Sequence, residues 1–274
     1  MKQNDDHGPE GFSADLPHLS RRRLLVTGLA MGGAALSLLA VRGGAQTVTG
    51  TGADGSVCVA VPAGTAGPFP ADGTNVRDGR VVNILTEDGV IREDIRSSIG
   101  GLQPVAEGVP VTLEILLQDV GRDCAPLAGR AVYLWQCDAA GIYSIYAASD
   151  RNYLRGVALS DRHGRVRFTT VFPGCYPGRW PHMHFEVFAS PEAAVSGKAA
   201  LLTSQFALPE AACAQVYGTD PRYSGSEAFF ADVSLSRDMI FRRSSDTELA
   251  AQVLSLTGDP TSGYRATATV GLHA

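Results

Sequence analysis

Beyond residue 56 the chain alternates apolar and polar positions, or runs apolar for four to seven residues between turn signals. Val111-Thr-Leu-Glu-Ile-Leu-Leu-Gln, just after Pro110, reads as one strand. Ala131–Cys137 reads as a second. Arg165–Phe172, after the turn Asp161-Arg-His-Gly, is a third, and His182–Phe188 a fourth. Gln252–Leu256 and Ala266–Leu272, joined by a loop holding Gly258-Asp-Pro-Thr-Ser-Gly, predict a closing hairpin. Short helices are expected near 191–200 and 209–216. With 31 glycines and 15 prolines spread along the chain, turns are plentiful. Together these signals predict an all-β fold, an antiparallel β-sandwich with long active-site loops and few short helices.

The first part of the chain has another character. Residues 1–19 are polar, and Ser20-Arg21-Arg22-Arg23-Leu24-Leu25 then opens a mildly apolar run to Val41. An arginine pair, a weak apolar stretch and small residues make a twin-arginine export signal, with cleavage expected after Ala45. Thr27, Ser37, Gly28, Gly32 and Gly33 weaken the run as a membrane span, so no stable anchor is expected. The reading is a signal peptide over 1–45, a flexible leader over 46–56 and a single domain over 57–274, exported to the periplasm or beyond. A net charge of -5 argues against a nucleic-acid partner, and homo-oligomers stay open. The five cysteines, Cys58, Cys124, Cys137, Cys175 and Cys213, form no CxxC pair, which disfavours a thiolate zinc site. In an oxidising compartment one or two disulfides are expected, with at least one cysteine left over.

Candidate chemistry starts at His182-Met183-His184. On a strand, residues i and i+2 share a face, so both imidazoles project together. Alone this is a weak metal signal, equally met by hydrogen-bonded histidines beside a cleft. Glu186 continues the face but lies about 13 Å from His182 along the strand, too far to ligate with both histidines. No acid or thiolate stands by to complete a zinc or Fe(II) site. Tyrosines do stand near. Tyr176 sits in the turn-rich stretch before His182, and Tyr143 lies at a glycine-bearing turn past a strand end. Two phenolates with two neutral imidazoles would favour Fe(III) over Zn(II) or Fe(II) by ligand type alone. A zinc or copper site on the two histidines is the leaner alternative.

The surrounding residues follow a wider pattern. Trp135-x-x-Asp-x-x-Gly-x-Tyr-Ser is followed by Leu154-Arg-Gly and Asp161-x-x-Gly-x-x-x-Phe-x-Thr. Then come Pro173-Gly-x-Tyr-Pro and Arg179-x-x-His-x-His. Gly67-Pro68-Phe69 and Asp94-Ile95-Arg96 lie upstream. This series resembles the intradiol ring-cleavage dioxygenases, catechol 1,2- and protocatechuate 3,4-dioxygenases among them, and most of all exported single-domain members. The resemblance implies a catechol-type diol and O₂ as substrates, Fe(III) as cofactor and a cis,cis-muconate-type product. It implies Tyr143 and His182 as lasting metal ligands, and Tyr176 and His184 as axial ligands, with Tyr176 displaced by substrate. It further implies catalytic roles for Arg179 and Tyr176, a match of Gln205 to the active-site glutamine, and substrate contacts from Gly67 and Pro68.

Other residues remain to be placed. Tyr146 and Tyr153 follow Tyr143 in the same loop, as pocket-lining or surface aromatics; both are candidate substrate-binding residues. Tyr133 and Trp135 share a strand face and read as core. Arg155 reads as a structural cation paired with a buried acid or carbonyl. Cys137 and Cys175 read as disulfide or packing residues. The competing reading is a secreted β-sandwich binding module that keeps the fold without catalysis.

Overall fold

Strands at 110–119, 131–135, 165–171, 182–188 and 263–272 follow the sequence pattern, and the expected 252–256 strand begins only at Ser255. Those at 72–77, 80–83, 155–159 and 202–207 carry too little pattern to be expected. The structure is a computed structural model that describes residues 47–196 and 199–274, so the arginine-led export segment lies outside the described residues. β1 (Thr49–Thr51) and β2 (Val57–Val59) form an antiparallel pair, and β3 (Asp72–Arg77) and β4 (Arg80–Asn83) a separate hairpin. β5 (Pro110–Asp119), β6 (Ala125–Pro126), β7 (Ala131–Trp135), β8 (Arg155–Leu159), β9 (Arg165–Val171) and β10 (His182–Phe188) follow. A short helix α1 (Pro191–Val195) precedes β11 (Leu202–Ala207). Helices α2 (Glu210–Thr219), α3 (Ser226–Ala231) and α4 (Asp246–Gln252) lead to β12 (Ser255–Asp259) and β13 (Gly263–Leu272).

Two larger sheets carry the fold. One runs β11-β10-β7-β8; in the other β12, β13 and β5 are neighbours, with β6 and β9 both pairing with β5. β5 alternates as expected: Val111, Leu113, Ile115 and Leu117 are buried, while the residues between them are more exposed. β10 is buried along its whole length. Its Met183, Phe185 and Val187 join β5, β9 and β13 in one apolar cluster. Phe185 stacks on Phe206 of β11 with ring centroids 4.2 Å apart. Burying side chains of this size contributes about 1.5–3 kcal/mol each. His182, His184 and Glu186 occupy the opposite face, which long loops cover. A polar set on a fully buried strand marks the place where this fold departs from apolar packing.

Several expectations need correction. β13 runs parallel to β5, from Tyr264↔Val111 to Leu272↔Asp119, so that sheet is mixed. Alternation sets a strand's faces but not the direction of a partner more than a hundred residues away. The residues read as a flexible leader contain β1, paired to β2 and fixed beside the Cys58–Cys124 disulfide. Cys137, Cys175 and Cys213 are free and buried. The second predicted strand ends at Trp135, because the Gln136 side chain turns to Val171 O and Thr170 Oγ1 instead of extending the ladder. α3 and α4 were not anticipated, although Ser245 and Glu248 form a capping box that opens α4. Among the described residues no helix is long and apolar enough to cross a membrane.

Candidate metal centre

The loops 136–154 and 172–181 carry the two tyrosines, and glycines let these loops touch. Asp138 Oδ1 accepts the N–H groups of Ala140 and Ile142, both at 3.0 Å, which folds the turn before Tyr143. Gly174 donates its N–H to Asp138 O at 2.9 Å. A Cβ on Gly174 would stand 2.5 Å from Ala139 O and 2.7 Å from Gly141 N, so no larger residue fits. The Pro173-Gly174 and Asp138-to-Tyr143 motifs are thus two sides of one contact. Leu154-Arg-Gly and Asp94-Ile-Arg meet in the same way, since a Cβ on Gly156 would stand 2.5 Å from Ile95 Cγ2.

Four donor atoms converge on one point between these loops and β10. Tyr143 Oη and Tyr176 Oη lie 3.3 Å apart, and Tyr176 Oη is 3.1 Å from His182 Nε2. His182 Nε2 is 3.0 Å from His184 Nε2, which is 3.2 Å from Tyr143 Oη. The ring closes on itself. Nitrogen and oxygen ligands held tetrahedrally about 2.0–2.1 Å from a metal stand roughly 3.3 Å from one another, so this spacing fits a metal cage. Among the described residues no group of three or more His, Cys, Asp or Glu could hold a metal, so the donor set depends on the tyrosines. His182 Nδ1 donates to Trp180 O at 2.5 Å, which leaves the Nε2 lone pair facing the ring centre. Trp135 stacks on His184 with centroids 4.8 Å apart, and Tyr133 stacks behind Trp135.

Electrostatics support the same arrangement. Burial, then the neighbouring Tyr176, pushes the Tyr143 phenol well above its ordinary range, and burial pushes Tyr176 up as well. Burial and the Arg179 charge bring His182 down to about 3. Burial, His182 and Arg179 hold His184 well below the usual histidine range. Two neutral imidazoles are ready ligands, and two phenols can ionise here only against a strong local cation. A hard, highly charged metal ion would supply that compensation and suits oxygen donors.

Arg179 is held on three sides. Its Nε donates to Asp238 Oδ2 at 2.9 Å, one terminal nitrogen donates to Gln205 Oε1 at 2.6 Å, and the other lies 3.4 Å from His182 Nε2. Gln205 is the direct cross-strand neighbour of His184 and donates to Thr65 O at 3.1 Å. Arg179 therefore reaches the ring directly, and Gln205 is linked to it through Arg179. Asp238 was missed: it lies far from Arg179 in sequence, and no local motif announces it. The Asp238 carboxyl is fully buried. Burial alone would raise it, but the Arg179 guanidinium and the hydrogen bonds it receives hold it below the ordinary carboxylate range.

The remaining candidates divide. Gly67 has φ +71°, and a Cβ there would lie 3.3 Å from His184 Cε1, so its backbone forms part of the ring's wall. Pro68 continues that strap and accepts from Asn75 Nδ2. Phe69 packs on Tyr143 and on Tyr146, with centroids 5.1 Å apart in each pair. Tyr146 stands one layer back, its hydroxyl shared between Ala71 N–H and Asn75. Tyr153 is not brought to the ring; its hydroxyl donates to Asp138 Oδ2 at 2.9 Å. Arg155 is structural, as expected, and entirely buried. It donates to the carbonyls of Phe69, Pro70 and Ser144 and to the hydroxyls of Ser144 and Tyr133, with no carboxylate partner.

Comparison with known proteins places this geometry. A family model described as "Dioxygenase" matches residues 100–198, the stretch carrying all four donors and Arg179. The protocatechuate 3,4-dioxygenase beta chain of Burkholderia cepacia is 34% identical over 106 residues, covering 34% of this chain and 43% of that protein. The solved intradiol ring-cleavage dioxygenase from Tetranychus urticae shares the fold, with a TM-score of 0.59 at 21% identity, covering 79% of this chain and 95% of that one. Over the matched stretch and in its fold the chain is similar to intradiol ring-cleavage dioxygenases. The chain spans less than half the length of the curated relative it matches. Gln205 and Asp238 lie beyond the matched stretch of the dioxygenase model.

Proposed function

We propose that the chain is an Fe(III)-dependent dioxygenase. It cleaves a catechol-type diol between the hydroxyl-bearing carbons with O₂, giving a cis,cis-muconate-type product. The closed ring of two phenol oxygens and two imidazole nitrogens carries this reading. Its scaffold is a β-sandwich: side chains of both larger sheets meet in one apolar cluster, and the site lies on the far face of β10. Tyr143, Tyr176, His182 and His184 would hold the iron. Bound Fe(III) would supply the Lewis acidity to chelate an ionised diol and the electronic coupling that opens its ring to O₂.

The chain's residues divide the remaining work. Tyr143 is buried, with its ring against Phe69 and its loop pinned by Asp138, so it stays in place. His182 is fixed through Trp180 O. Tyr176 is the more accessible phenol and sits on a turn with Gly178 at φ +78°, so it can yield its position and take up a diol proton at Oη. Arg179 keeps a fixed positive charge beside the ring, where it stabilises an electron-rich substrate. The strap at Gly67 and Phe69 walls the ring beside His184 and Tyr143. The arginine-led segment at Arg21–Arg23 supports export by the twin-arginine route, which cell fractionation would test.

The decisive experiment is optical. Iron-loaded protein should be red-brown through phenolate-to-Fe(III) charge transfer, and Tyr176→Phe should shift that band and lower turnover. O₂ uptake should appear with some members of a panel of catechol, 4-substituted catechols, protocatechuate and hydroxyquinol. Colourless protein at full iron occupancy would sink the two-tyrosine centre. A coloured protein that binds diols without consuming O₂ would be a binding module.

A further inference from the structure

We infer that Asp238 is a positioning residue of this site, fixing the Arg179 guanidinium beside the donor ring and making the segment after α3 part of the active centre. The inference rests on the ring-cleavage reading. One carboxylate oxygen, Oδ2, accepts from Arg179 Nε and from Trp180 N–H, both at 2.9 Å. Trp180 in turn receives the Nδ1–H of His182 on its carbonyl. A single oxygen atom therefore steadies two consecutive residues. One aims a cation at the ring and the other sets a ligand's tautomer. The second oxygen, Oδ1, accepts the N–H groups of Ile240 at 2.8 Å and Phe241 at 3.2 Å, so the carboxylate cannot turn away.

With Nε on Asp238 and one terminal nitrogen on Gln205, the guanidinium plane is set from two directions. The nitrogen left over faces His182 Nε2. Arginine's planar fork makes this possible, since each hydrogen bond fixes the direction of the others. Gln205 alone would leave the long side chain free to swing about that one contact. The anchor is buried and paired, so the guanidinium is held where an electron-rich ring would lie.

The test is a double-mutant cycle on the iron-loaded full-length protein with Asp238→Asn, Arg179→Ala and the pair. Supporting residues of this kind typically matter by 10–100-fold. Asp238→Asn should lower kcat/KM by about that factor, and weaken anaerobic catechol binding followed by the visible band. If Asp238 acts through Arg179, the double variant should match Arg179→Ala alone. Losses that multiply, or an Asp238→Asn enzyme equal to wild type, would overturn the inference. The same cycle on denaturant unfolding of the iron-free protein needs neither metal nor diol. Coupling there supports the contact even if the chain cleaves no diol, and additivity there refutes it. Should Asp238→Asn fail to fold, Arg179→Lys probes the contact from the other side. A lysine enzyme with wild-type kcat and KM would likewise overturn the idea.

Discussion

Replacing Gly67 with alanine probes the wall that holds His184. Two effects add at this position. The backbone has φ +71°, a left-handed conformation that costs a residue with a side chain about 1–2 kcal/mol. The new methyl would also stand 3.3 Å from His184 Cε1, closer than ordinary contact. The imidazole cannot retreat freely, because Trp135 is stacked 11° from parallel on it and Tyr133 supports Trp135. It must move by a few tenths of an ångström, comparable to the ~0.2 Å tolerance of metal–ligand distances. Gly79 supplies the control, since it has φ +74° and nothing within 4 Å of its Cβ position. Both variants should lose about 2–4 °C per kcal/mol in thermal unfolding. Only Gly67→Ala should weaken iron retention in a chelator titration and alter the visible band. Equal iron retention in the two variants would refute the claim that the Gly67 backbone seats His184.

Three further outcomes follow from the packing. Removing the Cys58–Cys124 disulfide by double alanine substitution frees a loop of sequence separation 66, and should cost about 4 kcal/mol in urea unfolding while sparing the donor ring. A loss under about 1 kcal/mol would show that β1 and β2 hold without it. The Asp238 carboxyl lies below its unfolded value, so its stabilisation is present above the ordinary carboxylate range. That stabilisation fades as pH falls through the folded pKa. Asp238→Asn should flatten this acid limb of stability against pH, and an unchanged limb would contradict the assignment. Arg155→Leu removes the guanidinium donor from Phe69 O and Ser144 O, while Pro70 O keeps the Tyr133 hydroxyl and the Ser144 and Tyr133 hydroxyls keep the bonds they donate. At about 1–3 kcal/mol for each carbonyl left bare, the loss should be several kcal/mol, read by chemical denaturation.

Local chemistry was legible in the sequence, and long-range geometry was not. The i, i+2 rule placed His182 and His184 on one face, and β10 bears this out from its first residue to its last. Period-two alternation located β5 and β9 because one face of their sheet meets solvent. The parallel β5–β13 pairing left no trace, since pairing direction depends on the path of the chain between the strands. Tyr153 and Tyr143 share a loop and a residue type, yet only the fold turns one to the ring and the other to Asp138. Asp238 reaches Arg179 from 59 residues away, with nothing but an acid in a serine-rich stretch to mark it. β1 hid in a small, polar segment because two strands of three residues, tied by a disulfide, need little apolar patterning.

The buried Arg155 has a consequence for how such a protein can diversify. One guanidinium holds the carbonyls of Phe69 and Pro70 on one side and Ser144, the neighbour of Tyr143, on the other. The Phe69–Pro70 strap and the loop bearing Tyr143 therefore share a single fastener. Neither can be remodelled alone, because a shift in the strap drags on the Tyr143 loop through the same guanidinium. Under the ring-cleavage reading, heritable change in diol preference should then come from residues outside this clasp, such as those flanking Tyr176. The clasp itself should pass between descendants as one inherited unit.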